Sequence, residues 1–496
     1  MKIINKQLFS LHRITGCIIS LFFFMWFVSG LVLIYHPYPN VTDEQLYEKM
    51  ESFPSSLPDI KTFLKRVPEP AKKIRVRQFQ EQTLITLTTK DSTYTFCADT
   101  QQQVKPITFS FLVQTAKNWV NAPILKTDTL HQREQWVLYS RYERALPMYK
   151  FYFGDKEKHE LFISGRTGEV QQFTDASGRF WAWIGAIPHK FYLPCIRRNV
   201  DTWELSITIG GTICLLAALT GLYVGIYALV KRYKNKKTFE SPYRKRWYRL
   251  HHITGLLFGI FLMTWGISGM MSMQRIPQWM INTNGNYIFS PSRMWGKKPL
   301  AADDYKLDYR ELRKTYPELK EVNWIHFRNI PVYKIIEGNQ ERFIDASSST
   351  VKELFIPEKI IGEGICQVHG EKAVFQIALM DEYDNYYLSR DNKLPLPVYK
   401  VVVNDTDRSR YYISPETGYI RYLNKNKMVK KWIFSGFHYL NIKYLIDRPA
   451  LWTCAIWFLC LGGTAVSATG IWLGVRFIKR KLRRKDKIEL SSRRNT

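Results

Sequence analysis

Patterned cysteine is missing from this chain of 496 residues. Its seven cysteines, Cys17, Cys97, Cys195, Cys214, Cys366, Cys454 and Cys460, form no CxxC, so they imply neither an iron–sulfur ligand set nor a disulfide framework. Four of them fall in apolar runs, where packing is the expected role. No GxGxxG follows a strand-like run, so the chain carries no recognisable nucleotide site of its own. Charge is absent altogether from four windows, residues 14–35, 205–230, 253–273 and 450–475. Each reaches the ~20 apolar residues that a hydrocarbon core requires at about 1.5 Å per residue. The windows also lack proline, which argues against the broken helices of an alternating-access transporter. The first window exceeds the apolar core of a signal peptide, about 7–15 residues, and no small-residue cleavage site follows it, so it is expected to remain as a helix.

Basic charge, by contrast, is plentiful and localised. Lys and Arg total 72 against 43 Asp and Glu, a formal net charge of +29. Residues 231–249 hold nine Lys/Arg and one Glu, residues 476–496 hold ten and two acids, and the first 13 residues hold three and no acid. In a four-span arrangement these segments share one side. The positive-inside rule puts them, with both termini, in the cytoplasm of a bacterial inner membrane. Basic runs that abut spans read as topology signals, and no nucleic-acid partner is expected. The layout follows: a cytoplasmic N-terminus (1–13), a first transmembrane helix (14–35), a periplasmic domain (36–204), a second helix (205–230), a basic cytoplasmic loop (231–252), a third helix (253–273), a second periplasmic domain (274–449), a fourth helix (450–475) and a basic tail (476–496).

The chain repeats itself. At an offset of 239, Leu11, His12, Ile14, Thr15, Gly16, Trp26, Ser29 and Gly30 recur as Leu250, His251, Ile253, Thr254, Gly255, Trp265, Ser268 and Gly269. At an offset of 249, Trp183, His189, Trp203, Thr220, Gly221 and Gly225 recur as Trp432, His438, Trp452, Thr469, Gly470 and Gly474. Between the spans, the segments from Lys150 and from Lys400 both alternate polar and apolar residues, turn, alternate again and end in Thr-Gly, the pattern of a hairpin and tight turn. Further hairpins are expected near 83–97 and 332–344. The fold class is therefore an α-helical membrane protein with four transmembrane helices, a tandem duplication of helix, external α+β domain, helix. Two copies of equal orientation should be related by a two-fold axis along the membrane normal.

Four of the ten histidines occupy twin positions beside the spans: His12 with His251 at the cytoplasmic ends, and His189 with His438 on the external side. A residue and its twin face each other across such an axis, so each pair can ligate one metal centred on it. Bis-imidazole ligation suits haem iron, one nitrogen on each side of the ring. Gly16 and Gly255 follow their histidines by four residues, on the same helix face, and leave room for a flat macrocycle. An interfacial histidine also serves as a snorkelling polar group, and a glycine at i+4 as a helix-packing site. The recurrence of both pairs favours ligation, and the lack of an accompanying Cys or acid disfavours zinc. His252 adjoins His251, but successive helical residues point about 100° apart, so one of the two can face the axis. Its twin is Arg13. His36, whose twin is Arg275, is a further candidate at the external end of the first span or a simple boundary residue before Pro37. Trp26 and Trp265 lie 14 residues beyond His12 and His251, about 21 Å along a helix, where they pack the core or shorten an electron path.

Leu11-His12 with Gly16 and Ser29-Gly30, Leu250-His251 with Gly255 and Ser268-Gly269, Thr220-Gly221, Thr469-Gly470, and the external segments ending in Thr167-Gly168 and Thr417-Gly418 together resemble the PepSY-associated transmembrane family, from about residue 5 to 480. The resemblance implies external PepSY-like domains and two haem b groups, held by His12 with His251 and by His189 with His438. It further implies an oxidoreductase for iron acquisition. A separate cytoplasmic electron donor would reduce the inner centre, and the outer one would reduce Fe(III) in a periplasmic ferric siderophore, with Tyr192, Arg197, Arg198 and Tyr439 as candidate contacts. The family equally admits a binding module that restrains a periplasmic partner without redox activity.

Overall fold

The structure is a computed structural model that describes residues 2–104, 107–274, 276–277, 279–281, 289–296 and 301–493, with side chains from 3 to 483. Arg275 and the last residues of the basic tail lie outside the described residues. Four long helices are apolar and long enough to cross a membrane: α1 (Lys2–Tyr35), α2 (Val200–Lys236), α3 (Arg246–Met273) and α4 (Pro449–Arg493). They form a closed bundle in which α1 packs on α2 and α4, and α3 packs on the same two helices. The bundle core is Ile19, Phe23 and Phe27 of α1 with Cys214, Ala217, Phe258, Leu262, Leu459 and Val466. Small residues let these helices approach: a Cβ on Gly463 would lie 2.6 Å from the Phe27 ring, and one on Gly462 would lie 2.2 Å from Phe258. Outside the core, large apolar side chains such as Leu21, Ile209, Leu257 and Phe458 are exposed, as a lipid-facing surface requires.

The helices outrun their apolar windows on the basic side. Residues 231–236 extend α2 and residues 246–252 open α3, so only 237–245 of the basic segment is non-helical. Lys and Arg are good helix formers, and at the end of α2 they also face the negative pole of the helix dipole, so nothing in this composition stops the helix before Lys237 turns left-handed at φ +55°.

The remainder of each half is α+β. The first supplies β1 (Lys73–Phe79), β2 (Gln82–Thr88), β3 (Thr93–Cys97), β4 (Ile124–Leu130), β5 (Met148–Phe153), β6 (Glu160–Ser164) and β7 (Val170–Thr174). The second supplies β8 (Leu319–Phe327), β9 (Ile330–Glu337), β10 (Gln340–Asp345), β11 (Lys352–Glu353), β12 (Phe375–Met380), β13 (Val398–Val403), β14 (Arg410–Ile413) and β15 (Ile420–Leu423). The hairpins expected from alternation occur where the pattern put them, as β2–β3, β5–β6, β9–β10 and β13–β14. The Thr-Gly dipeptides close the turns after β6 and β14: Gly168 and Gly418 both sit at φ +66°, a conformation that favours glycine.

Strands β4 to β7 and β12 to β15 form two four-stranded antiparallel sheets. Helices Phe109–Trp119 and Glu358–His369 cover one each, through Leu112 and Ala116 on the first and Ile361 and Ile365 on the second. The other strands join across the halves. One seven-stranded sheet runs β11-β10-β9-β8-β1-β2-β3, and its seam pairs Ile74 with Trp324 and Val76 with Val322, antiparallel. An external α+β domain in each half was expected from sequence, and each half has its own four-stranded sheet; what was not expected is the third sheet, which joins the two halves. An unpaired β1 or β8 would be an open edge, and pairing them removes both edges. The core beneath is shared, with Phe53, Phe63, Ile85 and Leu87 packed against Leu312, Leu319, Tyr333 and Ile335.

Candidate functional site: two facing histidine pairs

His12 on α1 and His251 on α3 face each other near the end of the bundle that bears the termini. Their ring centres are 6.2 Å apart and their planes 30° from parallel. Each ring is steered by a neighbouring helix. His12 Nδ1 lies 3.2 Å from the Ala217 carbonyl on α2, and His251 Nδ1 lies 2.9 Å from the Thr469 hydroxyl on α4. Glycine makes the approach of His12 possible, since a Cβ on Gly221 would come within 2.7 Å of its ring, whereas one on Gly470 would sit 3.6 Å from His251, an ordinary contact. One turn along from the histidines, a Cβ on Gly16 or Gly255 would meet no atom within 4 Å, so open space flanks the pair.

The second pair lies at the sheet end of the bundle. His189 comes from the short helix Ala186–Lys190, and His438 from the helical turn Phe437–Tyr439, which follows a π-helical turn, Lys431–Gly436. Their ring centres are 6.1 Å apart, at 69°. His189 Nδ1 lies 3.1 Å from the Trp26 carbonyl and 3.3 Å from the Ser29 hydroxyl, and His438 Nδ1 lies 2.9 Å from the Ser268 hydroxyl. Gly30 leaves room for His189, its would-be Cβ at 3.2 Å from the ring, whereas a Cβ on Gly269 would be in ordinary contact with His438 at 3.9 Å.

The same kind of dipeptide lies beside all four, although the Thr220 hydroxyl bonds the Leu216 and Ala217 carbonyls rather than the His12 ring. A Ser-Gly or Thr-Gly dipeptide on a long helix cradles a histidine carried by a different segment: Ser29-Gly30 holds His189, Thr220-Gly221 holds His12, Ser268-Gly269 holds His438 and Thr469-Gly470 holds His251. The hydrogen bonds fix the tautomer. Carbonyls only accept, so the Nδ1 atoms of His12 and His189 donate to Ala217 and Trp26. The hydroxyls of Ser268 and Thr469 give their own protons to backbone carbonyls, Trp265 O at 3.1 Å and Val466 O at 2.8 Å, so they too accept from Nδ1. Every ring therefore carries its proton on Nδ1 and keeps its Nε2 lone pair free, the state of an imidazole ligand with its outer contact in place. Among the described residues no hydrogen bond reaches those four Nε2 atoms. Burial pushes His189 down to about 4 and, with His189 beside it, His438 down to about 3, so both are neutral at pH 7.

The spacing suits one metal between two imidazoles. Bonds of about 2.0 Å, with each ring centre a little over 1 Å behind its nitrogen, put the centres about 6 Å apart. Neither pair has a Cys, Asp or Glu gathered round it among the described residues. Two ligands and no more fit an ion whose other positions are filled by a flat macrocycle, and do not fit tetrahedral zinc.

A family model, the PepSY-associated TM region, matches residues 9–474, a span that contains all four histidines. The chain belongs to the PepSY-associated transmembrane family. A search of curated proteins finds no match. Membership and four apolar helices make this a multi-pass membrane protein.

The other candidates fare differently in this PepSY-associated chain. His252 is buried but turned away from the pair: its Nε2 lies 3.0 Å from the Gly225 carbonyl and Tyr243 meets it edge-on, so it joins α3 to α2. His36 stacks flat on Trp181, ring centres 4.3 Å apart, which accounts for it as a boundary residue. Trp26 and Trp265 pack against the bundle core, the first of the two readings, and they also reach the sheet-side pair. Trp26 supplies the carbonyl for His189, and Trp265 Nε1 donates to Phe437 O at 3.1 Å, one residue before His438. Tyr192 and Arg197 are not surface contacts. Both are buried, and the Arg197 guanidinium lies 4.2 Å above the Trp203 ring. Arg198 is half-buried, while Tyr439 remains 44% exposed beside His438. Sequence reading missed the role of Ser29, Ser268 and Thr469, although their recurrence next to glycine was the signal.

Elsewhere, Asp155, Glu157 and His159 bring potential ligand atoms within 4.8 Å of one another. Asp155 accepts the His159 backbone N–H at 3.1 Å, and in the second half Asp405 accepts that of Ser409 at 2.7 Å. A turn closed in the same way with serine in place of histidine is explained by its own hydrogen bonds.

Proposed function

We propose that this chain is a bacterial inner-membrane electron conduit that holds two haem b groups, one in each histidine pair, and transfers single electrons outward to ferric iron. The observation that carries the reading is the matched geometry of the pairs: ring centres 6.2 and 6.1 Å apart, with Nδ1 engaged and Nε2 free in every ring. A bound haem supplies a one-electron couple whose potential is set by axial ligands and burial. The protein holds the sheet-side imidazoles neutral, fixes the tautomers of all four and walls the bundle with apolar side chains. The basic segments support a topology with the termini in the cytoplasm and the sheets in the periplasm, the orientation this reading requires. The two halves share element order and direction, and we infer a tandem duplication in which each metal site takes one histidine from each copy. The overall reaction takes one electron from a cytoplasmic donor and gives it to Fe(III), which becomes Fe(II). Hard oxygen ligands hold Fe(II) far less strongly, so a ferric siderophore is the substrate class that gains most from the step.

The test is the visible spectrum of the detergent-purified full chain, oxidised and dithionite-reduced, with pyridine-haemochrome quantification. About two haems per chain, and re-oxidation by ferric siderophores, support the reading. A colourless protein from haem-replete cells sinks it. It would favour instead a PepSY-type module that binds a periplasmic partner, for which a cavity of 360 Å³ between the halves, lined by Tyr47, Arg75, Arg77, Glu169, Lys334 and Glu341, offers a place.

A further inference from the structure

The segments that carry His189 and His438 share a strained turn. Two residues beyond each histidine the backbone enters the left-handed region at a bulky residue, Phe191 at φ +51° and Leu440 at φ +53°. Large side chains persist there only where the surroundings over-determine them. In the first half the backbone N–H groups of Phe191 and Tyr192 both close on Ile187 O, and in both halves the same side-chain contact adds to the constraint. The carbonyl just before the left-handed residue accepts an indole N–H: Trp203 Nε1 donates to Lys190 O at 2.7 Å, and Trp452 Nε1 donates to Tyr439 O at 2.9 Å. Both indoles are buried, and each carries a guanidinium on its ring, Arg197 at 4.2 Å from Trp203 and Arg390 at 4.8 Å from Trp452.

The guanidiniums come from different places. Arg197 ends the short helix Pro194–Arg197, whereas Arg390 lies in the segment between β12 and β13. The second-half counterpart of Arg197 is Ile446, so repetition of sequence does not explain the shared clamp. A contact rebuilt from different parts in each half points to a constraint on the indole itself.

We propose that Trp203 and Trp452 are positioning residues for the sheet-side histidine pair. Each indole, bonded to the carbonyl one residue past the histidine and held by its guanidinium, fixes the left-handed turn and so the aim of the imidazole. Loss of the N–H would remove the side-chain bond that ties the Lys190 or Tyr439 carbonyl and so loosen the turn. The proposal rests on the reading of that pair as axial haem ligands, and it extends that reading to residues that touch no cofactor.

The experiment uses the full chain in detergent with Trp203→Phe, Trp452→Phe and the double variant, which keep an aromatic ring and lose the N–H. Midpoint potentials and low-temperature EPR report each haem, with the haem of the termini-side pair as internal reference. Hydrogen exchange of peptides covering 186–192 and 437–441 reports the turns without any cofactor. The expected result is a shifted potential and altered g-values at the sheet-side haem alone, with exchange in the affected turn about fivefold faster. Unmoved potentials together with unchanged exchange overturn the proposal. If wild type binds no haem, the functional reading fails on its own, and the exchange measurement decides the role of the indoles.

Discussion

Each imidazole makes its polar contact through Nδ1, and the four contacts are not equally replaceable. His438 relies on the Ser268 hydroxyl, whereas His189 has both the Ser29 hydroxyl and the Trp26 carbonyl. Ser268→Ala should therefore weaken haem retention in the sheet-side pair by about 10- to 100-fold, the usual effect of removing an outer contact of a ligand. Ser29→Ala should do far less, and haem titration of the two purified variants measures the difference. Lys431 gives a second prediction. It is almost fully buried, with Nζ bonded to Asn441 O at 3.0 Å, and burial, aided by Arg421 and opposed by Asp384, pulls it down to about 8. The unfolded chain, near the ordinary value of about 10.4, binds more protons between pH 8 and 10, so stability rises with pH across that window and the full penalty stands below it. Lys431→Met should raise thermal stability at pH 7 by about 1–2 kcal/mol even after loss of the Asn441 bond, with the gain shrinking toward pH 10. The histidines were legible in sequence because they recur at a fixed offset. Their partners were not, since Ser29 and Thr469 meet rings 160 and 218 residues away. Arg197 was misplaced for a related reason: an arginine among aromatics reads the same whether it faces solvent or lies on a tryptophan.

At the scale of elements, the glycines of the long helices divide into two kinds with opposite predictions. Gly463 is closed in by Phe27, and a leucine there would force α4 away from α1, at a cost of about 1–3 kcal/mol, visible as a lower unfolding temperature. Gly16 and Gly255 face open space, so leucine meets nothing in the protein and improves helix propensity by nearly 1 kcal/mol. Gly16→Leu and Gly255→Leu should therefore leave stability unchanged or higher while abolishing haem at the termini-side pair and sparing the other. Normal folding with normal haem content at both pairs would remove the case for a macrocycle beside these glycines. The elements themselves were mostly legible. Uncharged windows marked the four helices, and period-two alternation marked the hairpins. What the pattern could not convey was where helices end in a basic, glycine-free stretch, or that the turn before His438 is π-helical where the first half has an α-helix broken at Gly185.

For the whole molecule, the pairing of β1 with β8 and the exchange of histidines between halves make one requirement out of two. Each facing pair draws one ring from residues 1–236 and one from residues 246–493, and the shared core beneath the seven-stranded sheet has no complete set of walls in either half. Periodicity was enough to see that the chain has two similar halves, but strand pairing between them depends on contacts nearly 250 residues apart, which alternation within a strand does not encode. The linker 237–245 is the one non-helical connection between halves on the termini side, so cutting the chain there breaks no sheet, no helix and no histidine cradle. The two fragments expressed separately should bind no haem and should aggregate through the exposed β1 and β8 edges. Co-expressed, they should co-purify and recover both haems, because the seam and the bundle buried between them supply the association that the linker otherwise enforces. Affinity capture through one fragment, followed by absorbance of the eluate, measures this. Full haem binding by either fragment alone would show that a single half completes a site, which the cross-half pairing of His12 with His251 and His189 with His438 forbids.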